Sequence, residues 1–165
     1  MNVRSYDPDR DAEALWALKR EFELGLGTET GPDDKEAKYE AKLTDEYRER
    51  YLDWVERCMA DDDRCVTVAE SDGDEGALVG YAFVLPDSLS MIWDAAVLNE
   101  LYVREEHRGT GVADDLMETA ISIVREQDLP LDRFVFDVDR ENDRALAFYE
   151  RYGFEHWGEM LAKEI

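Results

Sequence analysis

Apolar residues recur along this chain at two spacings, and each change of spacing marks a new element. Residues 3–6 alternate apolar with polar, the period of a short strand, and Asp7-Pro8-Asp9-Arg10-Asp11 supplies turn and cap residues behind it. Leu15, Leu18 and Phe22 then return every three or four positions, with Trp16 beside them, so a helix is predicted. Gly25, Gly27, Gly31 and Pro32 are expected to break it. A second helix is expected over residues 34–60, with the stripe Tyr39, Leu43, Tyr47, Tyr51, Trp54 or Val55, and Cys58. Asp61-Asp62-Asp63 ends that run.

The period then shortens. Residues 65–70 read as a strand, 71–76 as a hairpin-type turn, and 78–85 as the return strand, interrupted by Pro86-Asp87-Ser88. Residues 91–103 contain the next strand, clearest over 97–103. The strongest helix signal is 111–125, where Val112, Ala113, Leu116, Met117, Ala120, Ile121 and Val124 form one stripe, closed by Leu129-Pro130. Residues 134–138 are a mostly apolar strand suited to a central sheet position. A helix over 143–152, stopped by Gly153, and a last strand over 154–162 complete the chain. The order is β-α-α-β-β-β-α-β-α-β. Hairpins make the middle strands antiparallel, and the strand–helix–strand unit over 97–138 demands one parallel pair. The expectation is a single α/β domain over 1–165, a mixed sheet flanked by about four helices, with no linker and no repeat.

Charge narrows the choice of partner. The 165 residues carry 42 acids against 19 bases, a formal net charge of −23. Such a surface repels nucleic-acid phosphates and can attract a cationic amine. The acids are spread along the whole chain, and arginine outnumbers lysine 14 to five, a mix that suggests a halophile. No apolar run reaches the ~18 residues of a membrane span, and the first residues lack the basic-then-apolar plan of a signal peptide. Cys58 and Cys65 match no zinc or redox spacing and read as reduced thiols, so a cytoplasmic protein without a metal is expected.

The chemistry concentrates where the strand over 97–103 meets the helix over 111–125. Arg108-Gly109-Thr110-Gly111-Val112-Ala113 opens that helix. Unpaired N–H groups and the positive dipole end there form an anion site, the glycines let a phosphate approach the backbone, and Arg108 adds a cationic fork. The loop is not a dinucleotide fingerprint. Asp114 stands where the third glycine of Gly-x-Gly-x-x-Gly belongs, and residues 104–107 separate the strand from Arg108. No Walker-type glycine-lysine loop is present.

Arg108, Gly111 and Ala113 match the Arg/Gln-x-x-Gly-x-Gly/Ala pattern of the GNAT superfamily of N-acetyltransferases. Asn142, Ala145, Phe148, Tyr149, Gly153 and Phe154 resemble that family's Asn-x-x-Ala-x-x-Phe-Tyr segment ending in Gly-Phe. The resemblance implies the GNAT acyl-CoA N-acyltransferase fold and an acetyl-CoA donor. It implies that Leu101, Tyr102 and Val103 line the pantetheine arm, and that the next strand, over 134–138, splays away to leave a V-shaped cleft. The pyrophosphate is expected on Arg108, Gly109, Thr110, Gly111, Val112 and Ala113. Tyr149 resembles the family tyrosine near the CoA sulfur, where a phenol can protonate a departing thiolate. Asn142 caps its helix and is expected near the cofactor arm.

An attacking ammonium must first lose a proton. Glu100 is the only carboxylate over 95–103 and is the candidate base, directly or through water. Strict alternation sets Glu100 opposite Leu101 and Val103, although a bulge, frequent here in the family, could redirect it. The acceptor is expected to be a small-molecule or peptide amine. Residues 24–33 and 88–94, including Trp93 and Asp94, are expected to wall its pocket. The resemblance implies that a homodimer through the C-terminal strands is possible, but residues 153–165 show no distinct apolar seam, so the oligomeric state stays open. A non-catalytic acyl-CoA-binding module on the same fold is the alternative.

Overall fold

The computed structural model describes residues 1–29, 34–73 and 76–165. Five strands form one sheet in the order β1 (Asn2–Ser5), β2 (Val66–Glu70), β3 (Leu78–Val84), β4 (Ala96–Val103), β5 (Phe134–Val135). The first three junctions are antiparallel and the β4–β5 junction is parallel. This is the mixed sheet that the hairpins and the strand–helix–strand unit demand.

Five α-helices surround it: α1 (Pro8–Glu29), α2 (Lys35–Lys42), α3 (Asp45–Asp61), α4 (Val112–Val124) and α5 (Asp143–Arg151). The β3 side chains divide the core. Tyr81 and Phe83 point to one face, where they pack with Leu15, Leu18, Tyr51 and Val55 under α1 and α3. Ala82 and Val84 point to the other, with Leu98, Val103, Leu116, Met117 and Ala120 under α4. β3 is buried along its length, as a strand covered on both faces must be. Each fully buried Leu or Met here contributes about 1.5–3 kcal/mol. At Gly80 a Cβ would sit 2.7 Å from the Tyr102 carbonyl oxygen, so glycine is what lets β3 lie this close to the end of β4.

Several expectations are corrected. Gly25 does not end α1, which continues to Glu29. A helical glycine costs only about 1 kcal/mol, and packing of α1 on α2, β3 and β4 offsets it. Gly31 and Pro32 lie outside the described residues, as do Asp74 and Glu75 of the hairpin turn. The single helix over 34–60 is two. Thr44 adopts an extended backbone and accepts a hydrogen bond from the Tyr47 N–H at 3.1 Å, so it restarts the helix as the N-cap of α3. Pro86 opens a 3-10 helix, Asp87–Ile92, within the stretch read as an interruption. The strand expected over 134–138 has two paired residues and sits at the sheet edge. Residues 154–162 form no strand.

Candidate active site

β4 has two unequal neighbours. β3 follows it up to Val103, whereas β5 pairs only through Ala96 with Phe134 and Val97 with Val135. Beyond Val97 the β5 side of β4 has no strand partner among the described residues. The two parallel strands therefore part toward their C-terminal ends, and the gap opens onto the loop before α4.

Local chemistry builds that loop. Glu105–His107 make one 3-10 turn, closed by the Arg108 N–H on the Glu105 carbonyl at 3.1 Å. The Thr110 hydroxyl donates to the His107 carbonyl at 2.6 Å. Gly109 has φ +76° and Gly111, the N-cap of α4, has φ +94°, a region that L side chains rarely adopt. A Cβ at either would meet nothing within 4 Å. The glycines therefore serve the backbone conformation and leave its outer side open. The first ladder bond of α4 runs from the Asp115 N–H to the Gly111 carbonyl at 3.0 Å. The amides of residues 109–114 have no acceptor among the described residues, which leaves them free to meet an anion. Arg108 donates Nε to the Val103 carbonyl at 3.2 Å, which fixes its side chain across the mouth of the gap. Asp114, in the first turn of α4, is neutralised from α5 by Arg151 at 3.0 Å and the Tyr152 hydroxyl at 2.7 Å.

α5 carries the other half. Its N-cap Asn142 accepts from the Ala145 N–H at 3.1 Å. About two turns on, Tyr149 stacks on Phe136, just beyond β5, with ring centroids 3.7 Å apart, and meets Phe148 and Phe154 edge-on. Burial pushes its phenol well above the ordinary tyrosine range, so the hydroxyl stays protonated near neutrality. That hydroxyl makes no hydrogen bond among the described residues. It is a protonated donor without a protein acceptor, as a general acid requires.

Glu100 is held differently. The β3–β4 register shifts at Phe83 and Val84, which face Glu100 and Leu98, so Asn99 is an extra residue in β4. The bulge turns Leu98 onto the α4 face with Val103, while Glu100 stays on the α1 and α3 face, as alternation predicts. There it is 5 % exposed. Its Oε1 accepts from Lys19 at 2.6 Å and Asn99 at 3.1 Å, and its Oε2 from Tyr51 at 2.8 Å and Tyr81 at 2.7 Å. Four donors fill the roughly four lone-pair sites of a carboxylate. Lys19 also pairs with Glu23 at 2.6 Å, and Glu23 with Lys42 at 2.7 Å. Burial works against both charges of the inner pair. Even so, Glu100 and Glu23 hold Lys19 above its ordinary value, and Lys19 and Lys42 hold Glu23 below its own.

The structure thus gathers Leu101, Val103, Val112, Ala113, Phe136 and Tyr149 into one cluster on the α4 face of the sheet, and sets the side chains of Tyr102 and Glu100 on the α1 face. Tyr102 donates to Glu21 at 3.2 Å, and Arg104 pairs with the same carboxylate, so α1 clamps the end of β4. Trp93 is exposed, and Asp94 has φ +53°. Sequence reading missed Lys19, Glu23, Tyr51 and Tyr81. The first two carried a signal: they fall on the Leu15, Leu18 and Phe22 face, where a charge must be buried and paired.

A family description, Acetyltransferase (GNAT) family, matches residues 28–154. Among solved structures, the ribosomal-protein-alanine N-acetyltransferase of Brucella melitensis is 24% identical with a TM-score of 0.70, covering 96% of this chain and 86% of that one. The PaiA N-acetyltransferase of Thermoplasma acidophilum, in complex with coenzyme A, is 20% identical with a TM-score of 0.67, covering 93% and 89%. These two likenesses bear on the fold. No curated protein sequence matches the chain.

Proposed function

The chain belongs to the GNAT acetyltransferase family, and from that premise we propose that it moves an acetyl group from acetyl-CoA to a primary amine by direct attack. One observation carries this reading: β5 leaves β4 after two paired residues, between a glycine-headed helix start and the Tyr149 hydroxyl. The unpaired amides of residues 109–114 and Arg108 suit a diphosphate. The open edge of β4 at Leu101, Tyr102 and Val103 suits an extended amide-bearing arm, with a backbone N–H available to a carbonyl oxygen. Asn142 holds the start of α5 beside that arm. Acetyl-CoA, when bound, supplies the acyl group as a thioester.

The chain's own residues then divide the work. Tyr149, kept protonated by burial, gives its proton to the departing sulfur. Glu100 cannot accept a proton directly without losing one of its four donors, so water is the first acceptor. Glu100 holds the bulge at Asn99 in place and thereby shapes the edge of β4. No role is assigned to a metal. The two buried free thiols suit a reducing compartment, and a cytoplasmic place is part of the proposal. No helix of the described residues is long and apolar enough to cross a membrane.

The test is release of free thiol from acetyl-CoA with a pooled amine library. Tyr149→Phe should lower kcat about 10²-fold or more, the usual worth of a general acid, with CoA affinity unchanged. Unchanged turnover removes Tyr149 as the acid. A second reading, an acyl-CoA-binding module without turnover, draws support from the filled lone pairs of Glu100. CoA binding with no thiol release from any amine would select it.

A further inference from the structure

Three helices meet around one lysine. Lys42, the last residue of α2, lies with its Nζ 2.7 Å from Glu23 Oε2 of α1. The same nitrogen stands 4.5 Å from the ring centroid of Tyr39 on α2 and 5.3 Å from that of Tyr47 on α3. A carboxylate and two aromatic faces around an ammonium are the chemistry of an alkylammonium cage. The Lys42 side chain is 37% exposed, whereas that of Glu23 is only 4% exposed. Glu23 is thus a deeply buried carboxylate whose outer oxygen takes its ammonium partner from a half-exposed side chain. The other oxygen of Glu23 faces Lys19, which faces Glu100 on β4. A short run of ion pairs therefore joins the cage to the strand that lines the cleft.

We infer that Glu23, Tyr39 and Tyr47 form an ammonium-binding cage which Lys42 fills from within, and that a straight-chain primary alkylammonium competes with Lys42 for it. The occupant defines the ligand. A lysine side chain is a four-methylene primary ammonium, so the cage takes an n-butylammonium-like group, free or at the end of a larger molecule. The net charge of −23 favours cations at this surface. Assigning that ligand the part of acetyl acceptor rests on the acetyltransferase reading; its binding does not.

The experiment titrates n-butylammonium chloride into the protein without acetyl-CoA, at ionic strength matched with KCl, by calorimetry. Lys42→Met keeps the aliphatic stem and removes the competitor. It should bind about tenfold more tightly than the wild type, the factor lost by a site open about a tenth of the time. Tyr39→Leu in the Lys42→Met background should weaken binding about fivefold, the worth of one cation–π contact near 1 kcal/mol, and should change the wild type less because Lys42 loses the same contact. α2 has no buried residue, so Lys42→Gln supplies a second variant without the competing ammonium if Lys42→Met does not fold. No saturable binding to the folded variant without Lys42, equal affinities with and without Lys42, or indifference of that variant to Tyr39→Leu overturns the cage. Thiol release is read separately: butylammonium binding without turnover keeps the cage and removes the acceptor role, while turnover with no affinity change in Lys42→Met removes the cage and leaves the transferase.

Discussion

At the scale of residues, the site depends on a few backbone conformations and on one protonated phenol. Gly111 sits in the left-handed region with open space where a Cβ would go, so its replacement is a matter of conformation and not of crowding. Gly111→Ala should cost about 1–2 kcal/mol of stability, read as a urea midpoint, and should lower CoA affinity by turning the first amides of α4. If stability falls while CoA affinity holds, those amides do not carry the diphosphate. Tyr149 and Asn142 were legible as a pair at helical spacing. That the Tyr149 ring is covered by Phe136 was not, because Phe136 stands on another segment of the chain.

At the scale of elements, α1 and α3 are joined to the sheet through buried charge. Lys19→Met removes the counter-ion of Glu100 and leaves Glu23 with Lys42 alone, and should destabilise by about 3–5 kcal/mol. The same cluster sets a pH window. Glu23 is held below its ordinary 4.5, so its contribution is present above that pH and is lost as pH falls through the lower folded value. Lys19 is held above its ordinary 10.5, so its contribution is complete below that pH and is lost as pH rises through the higher folded value. Denaturant midpoints measured against pH should be level between those limits with respect to this cluster, and Lys19→Met should lose the alkaline decline that Lys19 causes. An unchanged alkaline limb would mean that Lys19 does not titrate with unfolding.

At the scale of the whole molecule, charge and topology act together. A net charge of −23 repels itself in the compact state, and dissolved ions screen it. The melting midpoint should rise from low to molar KCl; a flat or falling midpoint removes the halophile reading. The charge repels a CoA phosphate too, so on the proposed reading the amides of residues 109–114 and Arg108 attract it locally. The clamp of Arg151 and Tyr152 on Asp114 serves that end by neutralising the acid closest to those amides.

The sequence by itself determined the mixed sheet, the glycine loop before α4 and the helix bearing Tyr149. These rest on local periodicity and on residue types whose backbone needs are intrinsic, as with Gly109 and Gly111. It also carried the phase of Glu100, since alternation along a strand is a local property. Only the tertiary structure decided how far α1 runs past Gly25, that Thr44 divides α2 from α3, and how briefly β5 pairs with β4. It alone decided that the four donors Lys19, Asn99, Tyr51 and Tyr81 converge on Glu100. Three of those four stand on other elements, and no spacing along one chain states which side chains will meet across a sheet.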